Sequence, residues 1–308
     1  PRDFPVLERT TPAPSEGPLE PGLTLLTLGK WLSPSLFYET AVDDNGVPAH
    51  VVAGLGATDL KRQPNGHYSV SRPTDLPRTG SAVVELDDTL QEVDRHETVG
   101  LVNTDNHDSI LLPDGTVWLM AYEPNDETGL VDSVVQRIDP DGSVGFEWST
   151  APYVDETVLD LEGPPLAGVP EGDYAHVNSF ELLPDGDLLL SFRHYSSVWR
   201  VATSDRAGVQ AGDVVWRLGG RQSDFAITGL DGEPDGGPCA QHTARMLPDG
   251  DMVLFDNGSS EATGPLCIDP TDPSGPAVAR PSTRILTLRL DEAAGTAEVV
   301  KDVAPAGR

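Results

Sequence analysis

Residues 173–201, "DYAHVNSFELLPDGDLLLSFRHYSSVWRV", hold an apolar run, a Leu-Pro-Asp-Gly turn and a second apolar run. Proline sets φ for the first corner of such a turn, aspartate tolerates the second, and glycine supplies the positive φ that follows. The stretch therefore reads as a β-hairpin, with His176 at its entrance and the pair Arg193-His194 at its exit.

The same turn recurs. "LLPDGT" lies at 111–116, "LLPDGD" at 182–187 and "MLPDGD" at 246–251, with a weaker copy, "RQPNGH", at 62–67. Strand-like runs lie between the copies, among them "LFYETAVDDNGVPAHVV", "SAVVELDDTLQEV" and "RILTLRLDEAAGTAEVV". Amphipathic helices are not legible. Four short strands per unit, repeated through the chain, predict an all-β fold, a β-propeller of four-stranded antiparallel blades. Five blades are readable, at about 23–55, 56–98, 104–150, 173–220 and 238–301. A six-bladed ring is expected, with the last blade trimmed or completed by the terminal arm.

Residues 1–22 are rich in Pro and Glu and read as an extended arm or linker, leaving 23–308 as one propeller domain. The chain begins at Pro1, with no signal peptide legible, which reads as a processed or trimmed N-terminus.

Twenty basic against fifty acidic residues give a formal charge of -30. Such a chain repels phosphate backbones and anionic membranes, which argues against nucleic-acid partners. No apolar run is long enough for a transmembrane helix, so no membrane insertion is expected. The only cysteines, Cys239 and Cys267, sit in Gly/Pro-rich loops and are expected to form a disulfide, the pattern of a secreted or periplasmic protein. Two buried free thiols are the alternative.

Aligning the hairpins on their turns places the histidines in the repeat. His107 and His242 each lie six residues before the turn proline, and His176 lies eight before it, with Asn178 at six. Thr58 takes that position in the second blade. Even offsets put these side chains near the start of the same strand in different blades, with the same facing, because side chains alternate along a strand. Three histidines at one repeat position predict a site at one end of the propeller channel. His50, His67 and His96 read as surface or turn residues. Converging imidazoles suit either a metal or nucleophilic and proton-transfer chemistry on an anion held by arginine. Arg193 beside His176 favours the anion, since a cation next to a metal dication is costly. No metal or cofactor is therefore expected.

The combination "DYAHVNSF", "SFRHYSSVWRV", "VVWRLGG" and "QHTARMLPDGDMVLFDNG" resembles the bacterial arylsulfate sulfotransferase family. "DNHDSILLPDG" and "DLKRQPNGHYSVSR" are similar to it as well, so the resemblance covers about 23–300 and is strongest over 173–258. It implies a six-bladed propeller, exported from the cytoplasm, that moves a sulfuryl group between phenols without a nucleotide donor. The implied partners are a small aryl sulfate donor and a phenolic acceptor. Its pattern falls on His107, His176, Asn178, Arg193 and His242, the last implied to be the nucleophile that becomes a sulfohistidine in ping-pong turnover. His194 is expected to support Arg193 in substrate binding.

The chemistry asks for these residue types on its own account. A sulfuryl group in flight spreads negative charge over three oxygens, much as in loose phosphoryl transfer, so cationic donors and positioning carry the catalysis. One acid/base group can serve both half-reactions, and His176 is placed for it. This sequence departs from the family in its short length, its missing last blade, and "QHTA" in place of "QHDA" (a change expected to leave His242 unaffected). Competing expectations are a metal-dependent propeller hydrolase or lactonase on the same histidines, and a non-catalytic binding propeller.

Overall fold

The computed structural model describes residues 4, 5, 7, 22–29, 37–54, 56–74, 80–163, 166, 169–260 and 264–304. The expected arm, 1–22, lies outside these residues apart from 4, 5, 7 and 22. Among the described residues the regular structure is β-strand, except for one short 3-10 helix, Ala151–Glu156. No described helix is long and apolar enough to cross a membrane.

The fold is a β-propeller built of successive antiparallel meanders. The first blade holds β1 (Thr24–Leu28), β2 (Phe37–Val42) and β3 (Pro48–Gly54). The second holds β4 (Thr58–Arg62), β5 (Tyr68–Pro73), β6 (Ser81–Leu86) and β7 (Glu92–His96). The third holds β8 (Ser109–Leu111), β9 (Val117–Asn125), β10 (Leu130–Ile138) and β11 (Val144–Ser149). The fourth holds β12 (Val177–Leu182), β13 (Leu188–Phe192), β14 (Ser197–Val201) and β15 (Val214–Gly219). The second, third and fourth carry the repeated turn, whereas the first has three strands among the described residues rather than the expected four.

The fifth blade departs from the four-strand expectation. After β16 (Ala226–Thr228) come β17 (His242–Met246), β18 (Met252–Asp256), β19 (Arg284–Asp291) and β20 (Thr296–Val303), and β16 joins the far edge by parallel pairing with β20. Burial of Phe225 and Ile227 holds that added strand, with Phe225 edge-on to Trp216 at 5.5 Å between ring centroids. A sixth blade is not present among the described residues.

The turns behave as their residues dictate. Gly66, Gly115, Gly186 and Gly250 have φ of 91, 88, 92 and 90°, and each donates its N–H to the carbonyl three residues back. One local geometry thus closes the first hairpin of four blades, and any residue with a Cβ there would be strained.

The chain forms two compact units, Pro1–Ala121 with Gln136–Gly145, and Tyr122–Val135 with Phe146–Arg308. In the second unit Leu189, Val198, Trp216 and Leu218 of the fourth blade pack with Met252, Leu254, Leu286 and Leu288 of the fifth. Burying each such side chain stabilises the fold by about 1.5–3 kcal/mol. This packing sets β12 beside β17, the two strands that begin at the histidines.

Candidate active site

In the second unit the site is built on the backbone of residues 239–242, which lead into β17. Each is tied down. Cys239 forms the expected disulfide with Cys267, with Cα atoms 4.7 Å apart, and its N–H donates to Asp256 Oδ1 at 3.0 Å. The Ala240 N–H donates to Ser196 Oγ at 2.9 Å. Gln241, fully buried, donates from Nε2 to Ser191 Oγ, the Phe192 carbonyl and the Ser197 carbonyl at 3.1, 3.1 and 2.8 Å. Leaving a buried donor unpaired is costly, so these bonds fix the strand entry and with it the position of His242.

Two expected site residues reach that segment, and a third adjoins one of them. Asn178 Nδ2 donates to the Gln241 carbonyl at 2.7 Å, and Arg193 Nη1 donates to the Ala240 carbonyl at 3.1 Å. His176 meets Arg193 through the backbone, where the Arg193 N–H donates to the His176 carbonyl at 2.9 Å. Burial lowers the Arg193 guanidinium from its ordinary value, with the Asp173 charge acting the other way.

His176 is oriented by a residue the sequence reading missed. Its Nδ1 lies 2.5 Å from Asp173 Oδ2, and its ring centroid is 4.8 Å from that of His194. His194 Nδ1 in turn lies 2.7 Å from the Asp173 carbonyl. Burial alone would raise the Asp173 carboxyl, but hydrogen bonds and charge from His176 and His194 outweigh it and hold the group well below the usual carboxylate range. With Nδ1 turned to a carboxylate, Nε2 is the ring nitrogen on the side away from Asp173. Tyr122 packs on the other side of His176 at 5.5 Å, its hydroxyl donating to the Val177 carbonyl at 2.7 Å.

His107 lies in the first unit and shows the same local device, with Nδ1 2.8 Å from Asp105 Oδ1. Its neighbour Asp108 is buried and ion-paired with Lys61 instead. A carboxylate two or three residues before each histidine, "DNH" and "DYAH", was the signal available in the sequence.

His242 differs. Its Nδ1 lies 2.7 Å from Thr243 Oγ1, and Thr243 adopts φ of 55°. A β-branched residue in the left-handed region is a backbone outlier, held here by its surroundings. The Thr243 departure therefore does touch His242, contrary to expectation, because its hydroxyl is the imidazole's hydrogen-bond partner.

Bulges interrupt the strand starts between Thr58 and Lys61, Val177 and Ser179, and His242 and Arg245. Even spacing from the turn therefore does not by itself fix which way these side chains face. Local backbone does that, including a φ of 55° at His176. Asn178 and His194 are 0% and 1% exposed, so they act on their neighbours rather than on a ligand in solvent.

The sequence matches the family model for arylsulfotransferase (ASST) over residues 77–303. No curated protein matches it. Similar solved structures include a protein from Lactobacillus plantarum, at 15% identity and TM-score 0.44, covering 90% of this chain; the chain spans 65% of that structure's length. A streptogramin B lyase is similar at 10% identity and TM-score 0.39, covering 94% of this chain and 88% of the other. A catalytically inactive virginiamycin B lyase from Staphylococcus aureus with quinupristin is similar at 14% identity and TM-score 0.38, covering 93% and 92%.

Proposed function

The chain belongs to the arylsulfotransferase family, and from that premise we propose that it moves a sulfuryl group from an aryl sulfate to a phenolic acceptor through a covalent intermediate on His242. The observation that carries this reading is the anchoring of residues 239–241 by the disulfide and by hydrogen bonds to Ser191, Ser196 and Ser197 of the neighbouring hairpin. In-line attack at sulfur needs a nucleophile held within a narrow geometry, and such positioning contributes several kcal/mol.

When His242 Nδ1–H donates to Thr243 Oγ1, the lone pair lies on Nε2. In the first half-reaction Nε2 attacks sulfur, the N–S bond forms, and the S–O bond to the aryl group breaks with its electron pair passing to the phenolate oxygen. His176 Nε2–H supplies the proton that makes the released phenol neutral. In the second, the acceptor phenol gives its proton to His176 as its oxygen attacks sulfur, and the N–S bond breaks to regenerate His242. Asp173 keeps the His176 ring oriented and stabilises the imidazolium that exists before the first step and again after the second.

Arg193 supplies the cation for the sulfuryl oxygens, while Asn178 and His194 position His242 and His176 through the contacts above. His107, held by Asp105, is assigned as a further N–H donor on the family pattern. Export from the cytoplasm accords with the disulfide, which persists in oxidising compartments.

The metal-hydrolase reading is expected on His107, His176 and His242, but the donor atoms around His176 that lie within 4.8 Å of one another are those of Asp173, His176 and His194. The nearby Arg193 charge and the commitment of His194 Nδ1 to a backbone carbonyl disfavour a dication there.

The test is p-nitrophenyl sulfate with and without phenol. Expected results are a burst of p-nitrophenol without acceptor, steady turnover with it, and an adduct of about 80 Da, the mass of SO₃, on the peptide carrying His242. Normal turnover by His242→Ala would overturn the covalent mechanism. Steady release without acceptor would make the protein a sulfatase.

A further inference from the structure

His67 and His96, expected to be unremarkable surface residues, meet on a single carboxylate in the second blade. His67 Nδ1 lies 2.6 Å from Glu85 Oε1, and His96 Nε2 lies 2.7 Å from Glu85 Oε2. The register pairs Glu85 of β6 directly with Asp94 of β7, and Val83 with His96. Glu85, Asp94 and His96 therefore share one face of the sheet, and their donor atoms lie within 4.8 Å of one another. Two carboxylates directly opposite on neighbouring strands repel, a cost that a bound cation removes.

We propose that this face of the second blade binds a divalent transition-metal ion of the zinc class, with Glu85, Asp94 and His96 as its ligands and His67 holding the other Glu85 oxygen. One imidazole, two carboxylates and a water match zinc in donor type and number. Zinc holds nitrogen and oxygen donors at about 2.0–2.2 Å, which places tetrahedral donors roughly 3.3–3.6 Å apart. The present His96–Glu85 separation of 2.7 Å needs to open by only about 1 Å or less to admit the ion.

The surroundings suit it. Asn65 Nδ2 donates to Glu85 Oε1 at 2.8 Å, an outer-shell bond of the kind that orients ligating carboxylates. Arg72 and Arg95 pair in register with Ala82 and Val84, which places both on the opposite face. Lys61 is two strands away from Glu85 in the same row and already ion-paired with Asp59 and Asp108. Half-exposed His67 leaves an entry path from solvent. The residues lie in the first unit and outside the proposed transfer machinery, so the inference stands apart from the sulfotransferase reading.

The experiment is equilibrium dialysis of the chelator-treated full chain against zinc chloride, followed by cobalt chloride for visible absorption. One zinc per chain and an intense tetrahedral cobalt spectrum are expected, with aryl sulfate turnover unchanged in His96→Gln. The His67→Gln/His96→Gln pair should weaken zinc binding on the order of 10–100-fold, the loss seen when even the support of a ligand is removed. His176→Gln should leave it unaltered. No retained zinc, equal retention in the double variant, or loss confined to His176→Gln would overturn the proposal. Circular dichroism of each variant separates lost ligands from lost fold.

Discussion

The hydroxyl of Thr243 lies 2.7 Å from Nδ1 of His242, on a threonine whose backbone sits in the left-handed region. The contact orients the ring of the proposed nucleophile, and a bulge interrupts the start of β17 there. Thr243→Val keeps the shape and removes the hydrogen bond, a change of about 1 kcal/mol that should slow the burst of phenol release by roughly 5–10-fold. Thr243→Ser should restore it. Equal bursts in all three proteins would show that the hydroxyl does not act on His242.

Arg193→Lys should be far from conservative. A guanidinium can hold two sulfuryl oxygens while still donating to the Ala240 carbonyl, whereas an ammonium acts as a point charge. Turnover is expected to fall on the order of 100-fold, as when one preorganised donor is lost from a developing anion. Retained activity with a lowered melting temperature would make Arg193 a structural residue.

Asp173 makes stability depend on acid. Its carboxyl is held below the ordinary value, so its contribution is fully present above the unfolded-state pKa of about 3.9. That contribution is lost as pH falls below this point towards the depressed folded-state value. Asp173→Asn should therefore be less stable at neutral pH and show a flatter fall in stability below about pH 4. Parallel acid-unfolding curves for the two proteins would contradict the pairing with His176 and His194.

Cys239 and Cys267 close a loop with a sequence separation of 28. The double Cys→Ser variant should lose about 3–4 kcal/mol of stability in the chain-entropy model. Because Cys239 adjoins the strand entry, kcat should fall as well, below the temperature at which the variant unfolds. Denaturant unfolding and steady-state rates measured on the same preparation check both.

The sequence by itself determined the repeating hairpins and the placing of His176 and His242 at strand starts. Those features are local: Pro, Asp and Gly impose their dihedrals on the turn whatever surrounds it, and apolar runs on either side have one pairing partner within reach. The disulfide was legible because only two cysteines exist. Tertiary structure decided the rest. Gln241 is an anchor because packing brings Ser191, Phe192 and Ser197 to its amide from 44 to 50 residues away. Bulges reset the strand alternation that sequence spacing takes for granted. His67 and His96, 29 positions apart, meet on Glu85 only because three strands of one blade come into register. Turn geometry depends on a residue's own dihedrals, whereas the hydrogen-bond partner of a buried amide, imidazole or carboxylate depends on which distant segment folding sets beside it.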